Sequence, residues 1–100
     1  MVVINDLDDF KKAVSEHDLC LVKIGTQWCG PCKMVQKNIE DIEKFYTDVY
    51  FIEVDADSAD DIVDEFGVRS VPVVLLIENG EVIYKSTGLL TQTQLKDLLN

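Results

Sequence analysis

The chain is short of basic residues: nine lysine and arginine side chains stand against nineteen aspartate and glutamate side chains, for a net charge of −10 over 100 residues. Proteins that bind nucleic acid need a lysine- and arginine-rich face that neutralises phosphates, and this chain cannot supply a large one. The composition therefore argues against nucleic acid as a partner. We expect the acidity to act on solubility and on which partners are repelled.

Long hydrophobic runs and a basic, apolar N-terminus are also absent. No apolar stretch reaches the roughly twenty residues of a membrane-spanning helix, and the first residues lack the charged start of a signal peptide. The chain has only three cysteines, an odd number that argues against a secreted scaffold held by disulfides. We expect a cytoplasmic protein without membrane association, in which residues 1–100 form one domain.

Acidic residues concentrate between Asp55 and Glu65, but their spacing does not match a calcium-binding loop. An EF-hand loop needs a central glycine and a glutamate at its twelfth position, and the segment has neither. A solvated helix with acidic side chains near its N-terminus fits the pattern better. No metal site is predicted here.

The most informative segment that is present is Trp28-Cys29-Gly30-Pro31-Cys32-Lys33. It follows the apolar run Leu19–Ile24, which is typical of a buried strand, and it opens a segment whose apolar residues repeat at helical spacing. At a helix N-terminus, unpaired backbone N–H groups and the helix dipole stabilise an anion, such as the thiolate of Cys29. Pro31 suits the first helical turn. Residues three apart share a helix face, so the sulfur of Cys32 can meet that of Cys29. The pattern predicts a redox-active dithiol.

Two other uses of the cysteine pair are less well supported. A structural disulfide that closes four residues would stabilise the fold by only about 1.9 kcal/mol, against roughly 3 kcal/mol for a fifteen-residue loop. A zinc site needs four ligands, and the remaining candidates, His17 and Cys20, lie upstream and form no second pair. We favour the redox hypothesis over both.

Hydrophobic periodicity predicts strands and helices in alternation. The predicted strands cover 2–4, 19–24, 49–54, 73–77 and 82–86, and the predicted helices cover 6–17, 29–46, 58–66 and a last segment that ends at Leu99. Asn5 and Ser58 are predicted helix N-caps. Thr91 begins a capping box with Gln94, and Asn79-Gly80 is a hairpin signal. This order predicts an α/β protein with a mixed central sheet covered by helices on both faces.

Several of these segments resemble the thioredoxin family. Residues 28–33 reproduce the family's active-site string, Val54-Asp55 ends a strand in the family manner, and Phe-Gly-Val-Arg-Ser-Val-Pro at 66–72 resembles its next signature. Asn79-Gly80 and Gly88 fall where the family has its hairpin turn and a late glycine. The resemblance extends over essentially all 100 residues.

The resemblance implies the thioredoxin fold, a three-layer α/β/α sandwich with a central mixed sheet of about five strands and about four helices. It also implies a protein-disulfide reductase in which Cys29 is the nucleophile and Cys32 resolves the mixed disulfide. The dithiol is itself the redox centre, so no cofactor is expected. Electrons would come from a thioredoxin-reductase-like donor and pass to disulfide-containing proteins, and we expect a monomer. A non-catalytic subunit of a larger assembly and a thiol oxidase or isomerase are the alternatives.

The resemblance further implies a substrate surface around the cysteines. In the family, the proline that corresponds to Pro72 is cis and packs against the dithiol, and the preceding residue, here Val71, offers backbone groups to an extended substrate. Trp28 would form a wall of this surface, and Gly88 would keep its far side open. The predicted substrate-binding residues are Trp28, Gly30, Pro31, Val71, Pro72 and Gly88.

Two positions depart from the family pattern. Thioredoxins usually carry a buried aspartate six residues before the first cysteine and a lysine opposite it, whereas this chain has Lys23 and Phe51. Lys23 alternates with leucines on an apolar strand face, so its ammonium has to be neutralised, paired or extended to the surface. We predict either a surface-reaching side chain or an amine beneath the dithiol. Such an amine would favour the thiolate as a cation, or it could pass protons if burial lowered its pKa. Cys20, on the other strand face, is predicted to be an inert core thiol, with a regulatory thiol as the alternative.

Overall fold

A computed structural model describes residues 1–100, which form five strands around which four helices pack. The strands are β1 (Val2–Val3), β2 (Leu19–Gly25), β3 (Tyr50–Asp55), β4 (Val73–Glu78) and β5 (Glu81–Thr87), and the helices are α1 (Leu7–Glu16), α2 (Gly30–Glu43), α3 (Asp60–Glu65) and α4 (Gln92–Leu99). The strand order is β1-β3-β2-β4-β5. The first three of these strands are parallel, while β4 is antiparallel to both of its neighbours. The predicted mixed sheet is confirmed.

A separate hydrophobic cluster covers each face of the sheet. One cluster joins α1 and α3 to the sheet and includes Phe10, Val14, Val22, Ile24, Ile52, Ile62 and Leu75. The other joins α2 and α4 to the opposite face and includes Leu21, Val35, Ile39, Phe51, Val74 and Leu95. Because successive side chains of a strand point to opposite faces, the central strand β2 contributes to both clusters. Lys23 follows Leu21 by two residues and therefore faces α2.

The two predictions based on turn and cap chemistry near the C-terminus are confirmed. Thr91 Oγ1 accepts a hydrogen bond from the Gln94 N–H at 3.1 Å, and Gln94 Oε1 accepts one from the Thr91 N–H at 2.9 Å. Asn79 and Gly80 have φ angles of 51° and 83°, as a tight hairpin turn requires. These local signals end β4 and start α4 where the sequence predicted.

Both predicted N-caps nearer the N-terminus are wrong. Asp6 caps α1 by accepting a hydrogen bond from the Asp9 N–H at 3.0 Å, whereas Asn5 accepts one from the Asp55 N–H at 2.8 Å and so ties the chain to β3. The N-cap of α3 is Ala59, which has no side-chain bond to offer. Ser58 instead donates its hydroxyl to Asp55 Oδ2 at 3.3 Å, so both predicted capping residues bond to Asp55 of β3.

The second helix ends earlier than its apolar pattern predicts. It stops at Glu43, and the chain continues to Tyr46 in turns, with hydrogen bonds from the Phe45 N–H to Ile42 O and from the Tyr46 N–H to Glu43 O. Such bonds between residues three apart tighten the end of a helix and satisfy its last carbonyls. The apolar spacing persists through these turns because Tyr46 still packs against the α2 cluster.

Candidate active site

The two cysteines lie where the C-terminal end of β2 meets the N-terminal end of α2. Cys29 is the N-cap of α2, and the Cys32 N–H points at the Cys29 sulfur over 3.1 Å. The two residues form a disulfide with their Cα atoms 5.2 Å apart. Pro31 lies in the first turn of the helix, where its missing N–H leaves no intrahelical bond unmade.

The two sulfurs differ in access to solvent. Cys29 is partly exposed at the end of the helix, whereas Cys32 is completely buried one turn further in, at 0% exposure. A partner disulfide can therefore reach Cys29 first. Gly30 and Pro31, which separate the cysteines, are both exposed.

The loop before β4 brings a second segment against Cys29. The Val71–Pro72 peptide bond is cis, and the Val71 carbonyl oxygen lies 3.9 Å from the Cys29 sulfur. Gly88 donates its N–H to the Pro72 carbonyl at 2.9 Å, and its φ of +105° is one that residues with a side chain rarely adopt. Residues that are far apart in the sequence are thus brought to one surface beside the disulfide.

Trp28 immediately precedes Cys29 in the chain. Its side chain is 84% exposed, and its indole N–H donates a hydrogen bond to Asp57 Oδ2 at 3.0 Å. Asp57 is held in turn, because its own N–H bonds to Asp55 Oδ1 at 3.0 Å. Sequence reasoning missed Asp57, since nothing distinguishes it from the other carboxylates of the acidic stretch.

Lys23 lies in the interior, where it and Cys32 flank the same glycine, Gly25. Lys23 is only 5% exposed, and it is the one charged residue among the buried residues of the protein. A Cβ atom placed on Gly25 would be 2.9 Å from Lys23 Cε, 3.0 Å from Cys32 Cβ and 3.1 Å from Cys32 Sγ. The lysine side chain and the sulfur therefore share the small space that glycine leaves open. Gly25 was not among the predicted site residues, although its position two residues after Lys23 puts both on one strand face.

A polar cleft of about 460 Å³ lies next to this buried lysine. Lys23 and Gly25 line it together with carboxylates from β3 and α2: Glu53, Asp55 and Glu40. Gln36 Nε2 donates to Glu53 Oε1 at 3.0 Å and to Glu40 Oε2 at 3.1 Å. Burial lowers the pKa of Lys23 below its ordinary value, and the three carboxylates act against this shift.

Known proteins resemble this chain in both sequence and architecture. A sequence model of the thioredoxin family matches residues 1–100. The chain belongs to the thioredoxin family. It is 36% identical over 99 residues to thioredoxin from Haemophilus influenzae, covering 97% of this chain and 92% of that one. It is 39% identical over 93 residues to thioredoxin from Rickettsia felis, covering 91% and 89% of the two chains.

Solved thioredoxin structures have the same fold. The oxidised form of mitochondrial thioredoxin 3 from Saccharomyces cerevisiae superimposes with a TM-score of 0.90 at 29% identity, over 99% of this chain and 92% of that one. Thioredoxin from Plasmodium falciparum gives a TM-score of 0.91 at 27% identity, over 99% and 96%. The family and fold predicted from the sequence are confirmed. The protein is a thioredoxin-type protein-disulfide oxidoreductase, and its cysteine pair carries out thiol–disulfide exchange.

The third cysteine of this thioredoxin lies away from the dithiol. Cys20 is completely buried in the cluster on the α1 and α3 face of the sheet, and burial raises the pKa of its thiol. A high pKa keeps the thiol protonated, and only the thiolate is reactive. No three or more histidine, cysteine, aspartate or glutamate side chains gather into a metal-binding group. None of the four helices combines the length and the hydrophobicity that crossing a membrane requires.

Proposed function

We propose that this thioredoxin is a protein-disulfide reductase in which Cys29 is the nucleophile and Cys32 is the resolving thiol. The observation that carries the proposal is the difference in burial: Cys29 is partly exposed and Cys32 is fully buried behind it. A bulky protein disulfide has access to the first sulfur alone. The second sulfur is within reach only of Cys29, as their disulfide requires.

The exchange follows in two displacements. The Cys29 thiolate attacks one sulfur of the target disulfide, forms a mixed disulfide and expels the other target sulfur as a thiolate. The Cys32 thiolate then attacks Cys29 Sγ, which forms the intramolecular disulfide and releases the second target sulfur. Each released thiolate takes a proton, so two thiols of this protein are oxidised and one target disulfide is reduced. The N-terminal end of α2 supports the first step, because its free N–H groups and dipole stabilise the Cys29 thiolate.

The substrate binds across the surface that surrounds Cys29. An extended segment of the target pairs with the backbone of Val71, beside the buried ring of Pro72. Trp28 contacts it from one side, Gly30 and Pro31 lie beneath it, and Gly88 leaves room on the far side. The 3.9 Å separation between the Val71 carbonyl and the Cys29 sulfur supports this placement, since a substrate paired with Val71 brings its disulfide to Cys29.

The partners of the protein are a thioredoxin-reductase-like electron donor and proteins that contain disulfides. We further propose that residues 1–100 act as one domain, that the protein is a monomer and that it works in the cytoplasm. One similar protein, a thioredoxin of Saccharomyces cerevisiae, is named as mitochondrial.

Reduction of insulin by dithiothreitol tests the proposal. The protein should accelerate it, Cys29→Ser should abolish the acceleration, and Cys20→Ala, which alters a cysteine on the other face of the sheet, should leave it unchanged. Cys32→Ser should accumulate a mixed disulfide with insulin through Cys29. Two results would contradict the assigned roles. One is that Cys29→Ser still accelerates the reduction, and the other is that Cys29→Ser forms a mixed disulfide with insulin through Cys32 whereas Cys32→Ser forms none. A biological effect that survives loss of both cysteines would point to a non-catalytic subunit.

A further inference from the structure

Lys23 is the feature of this site that disulfide exchange by two cysteines does not explain. A buried ammonium is costly unless an anion or several hydrogen bonds compensate it. The side chain of Lys23 ends close to the sulfur of Cys32, the resolving cysteine. The separation between Lys23 Cε and Cys32 Sγ cannot exceed the sum of their distances to the Cβ position of Gly25, which are 2.9 Å and 3.1 Å. The ammonium is one bond beyond Cε.

In the disulfide form of the protein, Lys23 has no ion-pair partner. The two ion pairs of the structure are elsewhere, between the N-terminal amine and Glu43 and between Lys37 and Asp41. The charged groups around the cleft that faces Lys23 come from two elements: Glu53 and Asp55 from β3, and Lys33, Lys37 and Glu40 from α2. On the other side of β2 lies β4, where the residue opposite Lys23 is Val74, which is uncharged.

The carboxylates of the cleft are partly engaged by another residue. Gln36 donates hydrogen bonds to both Glu53 and Glu40, and neither carboxylate comes within ion-pairing distance of Lys23. They raise the lysine pKa from a distance without neutralising it by contact. Reduction of the disulfide would supply a further anion, since the Cys32 thiolate forms near the lysine side chain.

We propose that the Lys23 ammonium is the counter-ion of the Cys32 thiolate in the reduced protein, where it activates the resolving cysteine and stabilises the dithiol form. The inference rests on the proposed function, because it concerns the resolving step. The Cys32 thiol loses its proton to solvent, and Lys23 keeps its own proton. The thiolate then attacks Cys29 Sγ, a sulfur–sulfur bond forms, and the bond from Cys29 to the target sulfur breaks. The target sulfur leaves as a thiolate and takes its proton from solvent.

This arrangement has a consequence for the redox equilibrium. A cation that stabilises the thiolate favours the reduced state, and a dithiol whose reduced state is stabilised is a weaker reductant. Removing the charge should therefore make the protein easier to oxidise. We expect the equilibrium constant with glutathione to change at least tenfold in that direction, which corresponds to about 30 mV for a two-electron couple.

The direct test is the thiolate titration of Cys32, followed by ultraviolet absorbance against pH. In a Cys20→Ala/Cys29→Ser background, Cys32 is the only thiol. Adding Lys23→Met, which keeps the length of the side chain and removes the charge, should reduce the thiolate fraction near neutral pH at least tenfold. Lys23→Gln provides a second neutral variant. Lys12→Met, which removes an exposed lysine from α1 on the other side of the sheet, is the matched control and should titrate like the parent.

A charge-retaining variant separates the ammonium's charge from its packing. Lys23→Arg, if near-ultraviolet circular dichroism shows native packing, should keep the thiol titration of the parent, because arginine stays protonated. An unchanged Cys32 titration in Lys23→Met and Lys23→Gln would overturn the counter-ion role, as would a natively packed Lys23→Arg that titrates like the neutral variants. Insulin reduction is scored separately. If the parent protein did not reduce insulin through Cys29, the proposed function would be refuted, but the titration of Cys32 would be unaffected.

Discussion

Replacing Gly25 with alanine should destabilise the protein, because the added methyl group has no room. It would lie 2.9 Å from Lys23 Cε, 3.0 Å from Cys32 Cβ and 3.1 Å from Cys32 Sγ, all well inside ordinary contact distances of about 3.5–4.0 Å between carbon atoms. Lys23 Cε belongs to a flexible side chain and can move. The Cys32 atoms cannot easily do so, because the residue lies in α2 and is linked to Cys29.

The magnitude follows from two opposing terms. Overpacking of an interior typically costs about 1–3 kcal/mol, while replacing glycine with alanine recovers about 0.4–1 kcal/mol by restricting the unfolded chain. The middle of the two ranges gives a net loss of about 1.3 kcal/mol in the free energy of unfolding. For a domain of this size, each 1 kcal/mol lowers the melting temperature by about 4–8 °C.

Urea unfolding of the oxidised protein measures this loss as a lower midpoint with an unchanged slope. Gly30→Ala is the matched control for stability, since a Cβ on Gly30 would meet no atom within 4 Å. Lys23→Ala should relieve one of the contacts, so a double-mutant cycle between positions 23 and 25 should show favourable coupling of about 0.5–3 kcal/mol. If Gly25→Ala proved as stable as Gly30→Ala, the steric reasoning would be refuted.

Two further substitutions test the surroundings of the dithiol. Lys23→Met should stabilise the fold at neutral pH, and its advantage should shrink as the pH rises toward 10.5, the ordinary lysine value. In this window Lys23 keeps its proton in the unfolded chain but loses it in the folded protein, where its pKa is lowered. The parent protein therefore becomes more stable as the pH rises. Urea unfolding of both proteins across the window would show a constant difference if burial of the charge had no effect. Asp57→Ala should cost no more than about 3 kcal/mol, the upper end for a hydrogen bond to a charged group, and should lower the fluorescence anisotropy of Trp28, the single tryptophan. Asp57→Asn, which keeps an acceptor oxygen, should restore the anisotropy, and equal anisotropy in all three proteins would show that the bond does not hold the indole.

Features that depend on neighbours in the chain could be predicted from the sequence alone. The position of Cys29 at a helix N-terminus, the hairpin at Asn79-Gly80 and the capping box at Thr91 each require only a few consecutive residues. Periodicity was equally informative, since alternation along β2 predicted that Lys23 and Cys20 point to opposite faces of the sheet. The resemblance added the cis peptide at Pro72, which no local rule favours because cis bonds form only about 5% of X–Pro bonds in folded proteins.

The tertiary structure decided whatever depends on residues that are distant in the sequence. Asn5 has the right side chain for an N-cap but bonds to Asp55 instead, because the packed sheet places that N–H beside it. Asp57 was hidden among equivalent carboxylates until the fold brought it to Trp28. The sequence likewise left two destinations open for Lys23, surface or dithiol, since a flexible four-carbon side chain can reach either. Only the packing of α2 against β2, with a glycine at position 25 to make room, set it beneath Cys32.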